Sequence, residues 1–305
     1  WHLGFNWLAN VKPGVKLKSR KDPDANAFDW TLPAPDGPTN HGFDYYFGDG
    51  TPNFPPYAWV ENGYIAGDVP TINTTREVIY SCRPGPSVEG WKHEKVMPTL
   101  TQKAVEWIAK REGNDQPFFI YFSTTSPHTP LLPVEPFVGS TKVGAYGDYM
   151  AQTDWSAGQV LGALKTHGFE DNTIVIFTSD NGAAGSMEKR YLDTGHNSSG
   201  PLRGKKTDTW EGGHRVPFVI RWPGVTTPGS VSDALISQID LMATFAAAFE
   251  YQLPKGQAED SLNMMPVLRD QAASPRDTLV YNNRLWGIRK GDWVLLENPK
   301  NGRAK

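Results

Sequence analysis

The chain has 305 residues, with 30 basic and 33 acidic side chains and a formal charge of −3, so no bulk positive field invites a polyanion and nucleic acid is not an expected partner. Apolar residues make up 38% and charged residues 21%, which excludes disorder and coiled coil as the main theme and leaves room for a sizeable core. One cysteine, Cys82, rules out an intramolecular disulfide and a thiolate metal cluster, and no stretch approaches the roughly 18 apolar residues of a membrane span.

The sequence opens on Trp1 with no leader and closes soon after a hairpin pattern. It is therefore expected to be an internal piece of a longer protein. With 30 Gly and 25 Pro, many turns and long loops are expected, and loops are where sites tend to lie.

Residues 1–95 are rich in aromatics, Pro and Gly and show little periodicity. The first helix is predicted over 98–112, with Pro98 in its first turn, Leu100, Ala104, Val105 and Ile108 on one face and Gly113 as its stop. Phe118–Phe122 is an unbroken apolar run, predicting a strand buried on both faces. A second helix is predicted over 145–167, ended by Gly168, and a β-branched strand over 173–178. A weaker strand follows at 216–221, demoted by Pro217. A third helix is predicted over 238–250, and a hairpin at 285–296 turns on Lys290-Gly291-Asp292. This order predicts an α/β fold with a mostly parallel sheet and helices on both faces. The start of a small antiparallel C-terminal subdomain is expected after it. The domain division is set at 1–260 for the main α/β part and 261–305 for the second element.

Two predicted strands end in polar signatures, and ligands of open parallel sheets bind at such ends. One runs into Ser126-Pro127-His128-Thr129-Pro130, the other into Ser179-Asp180-Asn181-Gly182. A third polar cluster runs from Leu202-Arg203-Gly204-Lys205-Lys206 to Glu211-Gly212-Gly213, and a fourth is Trp1-His2-Leu3-Gly4. Taken singly, each has a structural reading: Asp-Asn-Gly is an ordinary turn, and a lysine pair is ordinarily solvated. Taken together, hard oxygen donors of the type calcium prefers stand with histidines and a lysine able to hold a tetrahedral anion. That combination points to hydrolysis of a phosphate or sulfate ester.

In these stretches, and in this order, the chain resembles the type I, formylglycine-dependent sulfatases, which are arylsulfatase-like members of the alkaline phosphatase superfamily. Gly42-Phe43-Asp44, Arg221-Trp222-Pro223-Gly224 and Ile288–Trp293 are weaker echoes, and the matches span the chain. The resemblance implies that Asp180 and Asn181 ligate one calcium ion and that Lys206 contacts the sulfate, the count back from Glu211 selecting it over Lys205. It implies that His128 faces the sulfate as general acid and that His2 hydrogen-bonds the nucleophile. His196 is a further candidate for lining the pocket, and His214 for supporting the Lys206 loop.

The family's nucleophile is a formylglycine hydrate made from a Cys/Ser-x-Pro-x-Arg motif. The resemblance places that motif, and the Asp pair completing the calcium site, upstream of Trp1. Cys82-Arg83-Pro84-Gly85-Pro86 does not replace it, because Pro86 stands where Arg is needed and the order is wrong. This polypeptide alone is therefore expected to be inactive.

The implied substrate is a sulfated small molecule or glycan, the parent is expected to be periplasmic or secreted, and no oligomeric state is implied. Two other readings fit the same residues: a phosphonate or phosphate ester hydrolase of the same superfamily, and a non-catalytic binder of sulfated glycan. The aromatic stretch 41–64 is a candidate stacking surface for a sugar, against the plainer reading of a packed loop.

Overall fold

The structure is a computed structural model, and it describes residues 5–17, 24–67, 72–75, 82–185, 194–283 and 285–297. The chain forms two compact units, 1–170 and 171–305. Among the described residues no helix is long and apolar enough to cross a membrane.

The first unit begins with loops packed by aromatic rings. Trp7, Phe28, Ala34, Ala58, Val60 and Ile65 form its core, with Phe5, Trp30 and Tyr46 against it. Buried Asn10 donates from its amide to the carbonyls of Leu32 and Pro33 and so fixes the loop over that core. Three short strands, β1 (Phe47–Gly48), β2 (Val60–Glu61) and β3 (Tyr64–Ile65), form an antiparallel meander. The β2–β3 turn is Asn62-Gly63, and both residues have positive φ (52° and 90°), the backbone that a two-residue hairpin requires and that Asn-Gly supplies at least cost. β4 (Ile72–Thr75) pairs antiparallel with β5 (Gly85–Val88).

Helix α1 (Val96–Ala109) carries Pro98 in its first turn, and α2 (Ala145–Thr166) packs on it. The shared surface is polar as well as apolar: the hydroxyls of Thr101 and Ser156, both buried, meet at 2.5 Å. Both helices lie close to their predicted ranges. Residues 118–122 do not form the predicted doubly buried strand. The segment joins no ladder, and Phe119 and Tyr121 are 67% and 73% exposed. Phe118 packs edge-on against Trp107 and Phe169. An unbroken apolar run shows that both faces could be covered, but a ladder needs a hydrogen-bonding neighbour, which the run cannot specify.

In the second unit β6 (Val175–Thr178) pairs with β7 (Phe218–Arg221), and they run antiparallel. The mostly parallel sheet predicted from sequence is thus not the pairing seen: among the described residues every ladder is antiparallel, and the one parallel contact is the bridge Tyr57–Ser87. Helix α3 (Glu211–His214) is a single turn, α4 (Leu241–Ala248) is shorter than predicted, and α5 (Met265–Asp270) follows. The C-terminal antiparallel element appears as expected, with β8 (Thr278–Asn283) pairing with β9 (Leu285–Lys290), and β9 with β10 (Trp293–Leu296).

Candidate functional site

His128 lies in the first unit, on a loop held against α2. Ser126 and Thr153 share a buried hydrogen bond at 2.6 Å, and Thr125 meets the Tyr149 hydroxyl at 3.4 Å. Both flanking peptides, Ser126-Pro127 and Thr129-Pro130, are cis. The Nδ1 atom of His128 is 2.7 Å from the carbonyl oxygen of Thr129. A carbonyl can only accept, so Nδ1 carries a proton and proton exchange falls to Nε2. His2 lies outside the described residues, as does all of Trp1-His2-Leu3-Gly4.

The second unit brings two of the predicted polar clusters together. Asp180 and Asn181 follow the end of β6. The Asn181 amide nitrogen donates to the Gly182 carbonyl at 3.0 Å, which leaves the side-chain oxygen as its donor to a cation. Asp180 is exposed and has no ion pair among the described residues. These are two hard oxygens of the six to eight that calcium takes, and no group of three His, Cys, Asp or Glu able to hold a metal occurs among the described residues. The pair fits a minor part of a calcium site, and further oxygen ligands must come from elsewhere.

Backbone hydrogen bonds sew this turn to the lysine loop. Gly182 N–H donates to the Gly213 carbonyl at 3.0 Å, and Lys206 N–H donates to the Ala183 carbonyl at 2.7 Å. The approach is so close that a Cβ on Gly182 would lie 1.9 Å from the Gly212 oxygen. The two lysines differ in environment. Lys205 is paired with Asp208 at 3.0 Å, whereas the Lys206 ammonium has no ion pair among the described residues. His196 is half-buried on the adjoining loop, which the Ser199 hydroxyl ties to the Gly204 carbonyl at 3.2 Å. His214 packs edge-on against Tyr281 with ring centroids 4.1 Å apart, and burial pushes its imidazole below the ordinary histidine range.

The chain spells Ser-x-Pro-x-Arg once, at Ser199-Gly200-Pro201-Leu202-Arg203. This stretch leads into the lysine loop and follows His128 in sequence. It is subject to the same objection of order as Cys82 and is not assigned as a nucleophile. Cys82 is buried near Tyr57 and His93, and burial pushes its thiol up to about 11. Sequence reasoning gave no role to Glu211, Thr209 or Arg289, which hold the lysine loop to the C-terminal strands. The ion pair of Glu211 and Arg289 joins residues 78 apart, and no local pattern announces such a pair.

The family model described as Sulfatase matches residues 1–251. The chain is 30% identical to an N-acetylgalactosamine-6-O-sulfatase of Bacteroides thetaiotaomicron, over 97% of this chain and 62% of the relative. It is 33% identical to the human N-acetylgalactosamine-6-sulfatase, over 80% of this chain and 45% of the relative. A solved structure from the glycosaminoglycan metabolism of Bacteroides thetaiotaomicron superimposes with a TM-score of 0.78 at 28% identity, covering 97% of this chain and 66% of that one. The chain thus spans roughly half to two thirds of the length of these proteins.

Proposed function

This chain belongs to the sulfatase family, which has an alkaline-phosphatase-like fold, and on that premise we propose that its parent protein hydrolyses sulfate monoesters of a carbohydrate. The substrate we infer is a sulfated amino sugar, after the N-acetylgalactosamine-6-sulfatases it resembles. Residues 1–260 would belong to the catalytic domain and 261–305 to the start of a C-terminal subdomain, in an exported protein.

The observation that carries this reading is the seam between Gly182–Ala183 and Lys206–Gly213. It sets an ammonium that has no ion pair among the described residues on a loop directly bonded to the turn that offers two hard oxygens. Such a pairing suits a tetrahedral anion: Lys206 supplies charge to its oxygens, and Asp180 with the Asn181 side-chain oxygen would hold the calcium ion. When bound, that ion would supply Lewis-acid charge toward a sulfate oxygen. His128 would hold a proton at Nε2 for the departing alcohol, its ring orientation fixed by the Thr129 carbonyl. His196 would contact the substrate beside Lys206, and His2 would contact a formylglycine supplied from outside this chain.

The test is sulfate release from 6-sulfated N-acetylgalactosamine by the full-length parent. Lys206→Ala is expected to lower kcat/KM by about a hundredfold or more, and Lys205→Ala by less than about threefold, since Lys205 is already neutralised by Asp208. Equal losses in the two variants would reject the assignment of Lys206. Hydrolysis of phosphonate monoesters in preference to sulfate would reject the activity.

A further inference from the structure

We propose that Arg289, on β9 of the C-terminal hairpin, is a positioning residue for Lys206, acting through its ion pair with Glu211. The inference rests on the reading of Lys206 as the anion-binding lysine.

The lysine loop is compact and closed on itself. Gly212 N–H donates to the Arg203 carbonyl, Asp208 N–H to the Lys205 carbonyl and Gly213 N–H to the Trp210 carbonyl, each at 2.8 Å. A Cβ on Gly212 or Gly213 would lie 2.2 Å from the Gly204 or Asp208 oxygen, so backbone rests on backbone with no side chain between. A loop packed in this way moves as one piece, and its placement depends on what grips it from outside.

One part of that grip is the Gly182–Ala183 turn, and the other comes from the C-terminal strands. The Thr209 hydroxyl reaches the carbonyls of Asn283 and Leu285 at 3.1 and 3.4 Å, the His214 ring abuts Tyr281, and Arg289 pairs with Glu211. The pair is three-quarters buried, with 25% and 24% of the side chains exposed, so it is screened less than a surface contact. Glu211 also accepts from Arg215 at 3.1 Å, but Arg215 lies one helical turn away and cannot tie the loop to β9.

The experiment is titration of the full-length parent protein with inorganic sulfate in calcium-containing buffer, followed by isothermal calorimetry, with melting temperatures measured alongside. Arg289→Gln is expected to raise the sulfate Kd about tenfold. Arg289→Lys, which keeps the charge, should stay within about threefold of the parent, and Glu211→Gln should weaken binding by loosening the tether. If Arg289→Gln fails to fold, the last two variants carry the comparison. Lys206→Ala is the reference and should abolish binding. Lost binding in Lys206→Ala with an unchanged Kd in Arg289→Gln, whatever its melting temperature, overturns this inference alone. Unchanged binding in Lys206→Ala, or none in the parent chain, overturns the reading beneath it and this inference with it.

Discussion

The second unit contains a buried ion pair whose removal makes a sharp test of how it is held together. Asp240 and Arg276 are 2% and 9% exposed. The guanidinium donates to both carboxylate oxygens, and also to the Asp260 and Thr278 carbonyls. The carboxylate further accepts from Ser237 N–H at 2.8 Å and Leu262 N–H at 3.0 Å. Arg276→Met fills a similar volume but strands a buried carboxylate. Breaking one side of such a pair costs about 3–5 kcal/mol, which for a unit of this size is a fall in melting temperature of about 10 °C or more.

The pH dependence gives a second signature. In the parent chain burial pushes Asp240 upward, but the bonds from Arg276, Leu262 and Ser237, with the charge of Arg276, more than reverse it and hold the group below the ordinary carboxylate range. A depressed folded value means that the pair contributes stability above the unfolded carboxylate pKa and loses it as pH falls through the folded one. In the variant burial is opposed only by two backbone donors, so Asp240 should titrate higher and protonation should relieve the strain. The difference between parent and variant should therefore shrink between about pH 7 and pH 4. Asp240→Asn combined with Arg276→Met should recover much of the loss, since no charge then remains to be buried. Urea unfolding across this pH range is the assay. A loss under about 0.5 kcal/mol at pH 7, or one that does not change with pH, would refute the reasoning.

Glycine substitutions should divide by location. Gly182→Ala places a methyl on the Gly212 oxygen and should cost about 1–3 kcal/mol while weakening sulfate binding. Gly158→Ala, exposed in α2 with open space at its Cβ, should instead stabilise by up to about 1 kcal/mol in urea unfolding. Cys82 is 3% exposed and burial raises its thiol to about 11, so iodoacetamide at pH 8 should label it in urea but scarcely in the native chain. Rapid native labelling would contradict the burial. The raised value also means that its contribution to stability falls as pH climbs from about 9 towards 11.

Local chemistry made the helices legible. Pro98 and Gly168 mark ends that the structure keeps close by, and the Asn62-Gly63 turn has the conformation its residues favour. Strand pairing was not legible in the same way. The β-branched run at 173–178 announces a strand, but nothing in it specifies that the neighbour is Phe218–Arg221 or that the two run antiparallel. The same limit applies at 118–122, where the residues alternate half-buried and exposed as a strand would, yet no ladder forms. Side-chain periodicity reports which face is covered, whereas a ladder depends on an edge supplied by distant sequence.

The candidate site divides along the same line. The family resemblance favours Lys206 over Lys205 by the count back from Glu211, and the Lys205–Asp208 pair is consistent with that choice, because a lysine already neutralised is a poorer partner for an anion. What spacing could not show is why the lysine loop holds its place. Its supports are the carbonyls of Asn283 and Leu285, the ring of Tyr281 and the guanidinium of Arg289, all more than sixty residues beyond it. Leu285 and Arg289 lie on a strand that the sequence presents only as half of an ordinary hairpin, and Tyr281 and Asn283 on one that it does not announce. The chemistry of an anion site is carried by a few local motifs, but its rigidity comes from long-range contacts with no motif of their own. Substitutions on β9 should therefore change sulfate affinity while Asp180, Asn181 and Lys206 remain in place.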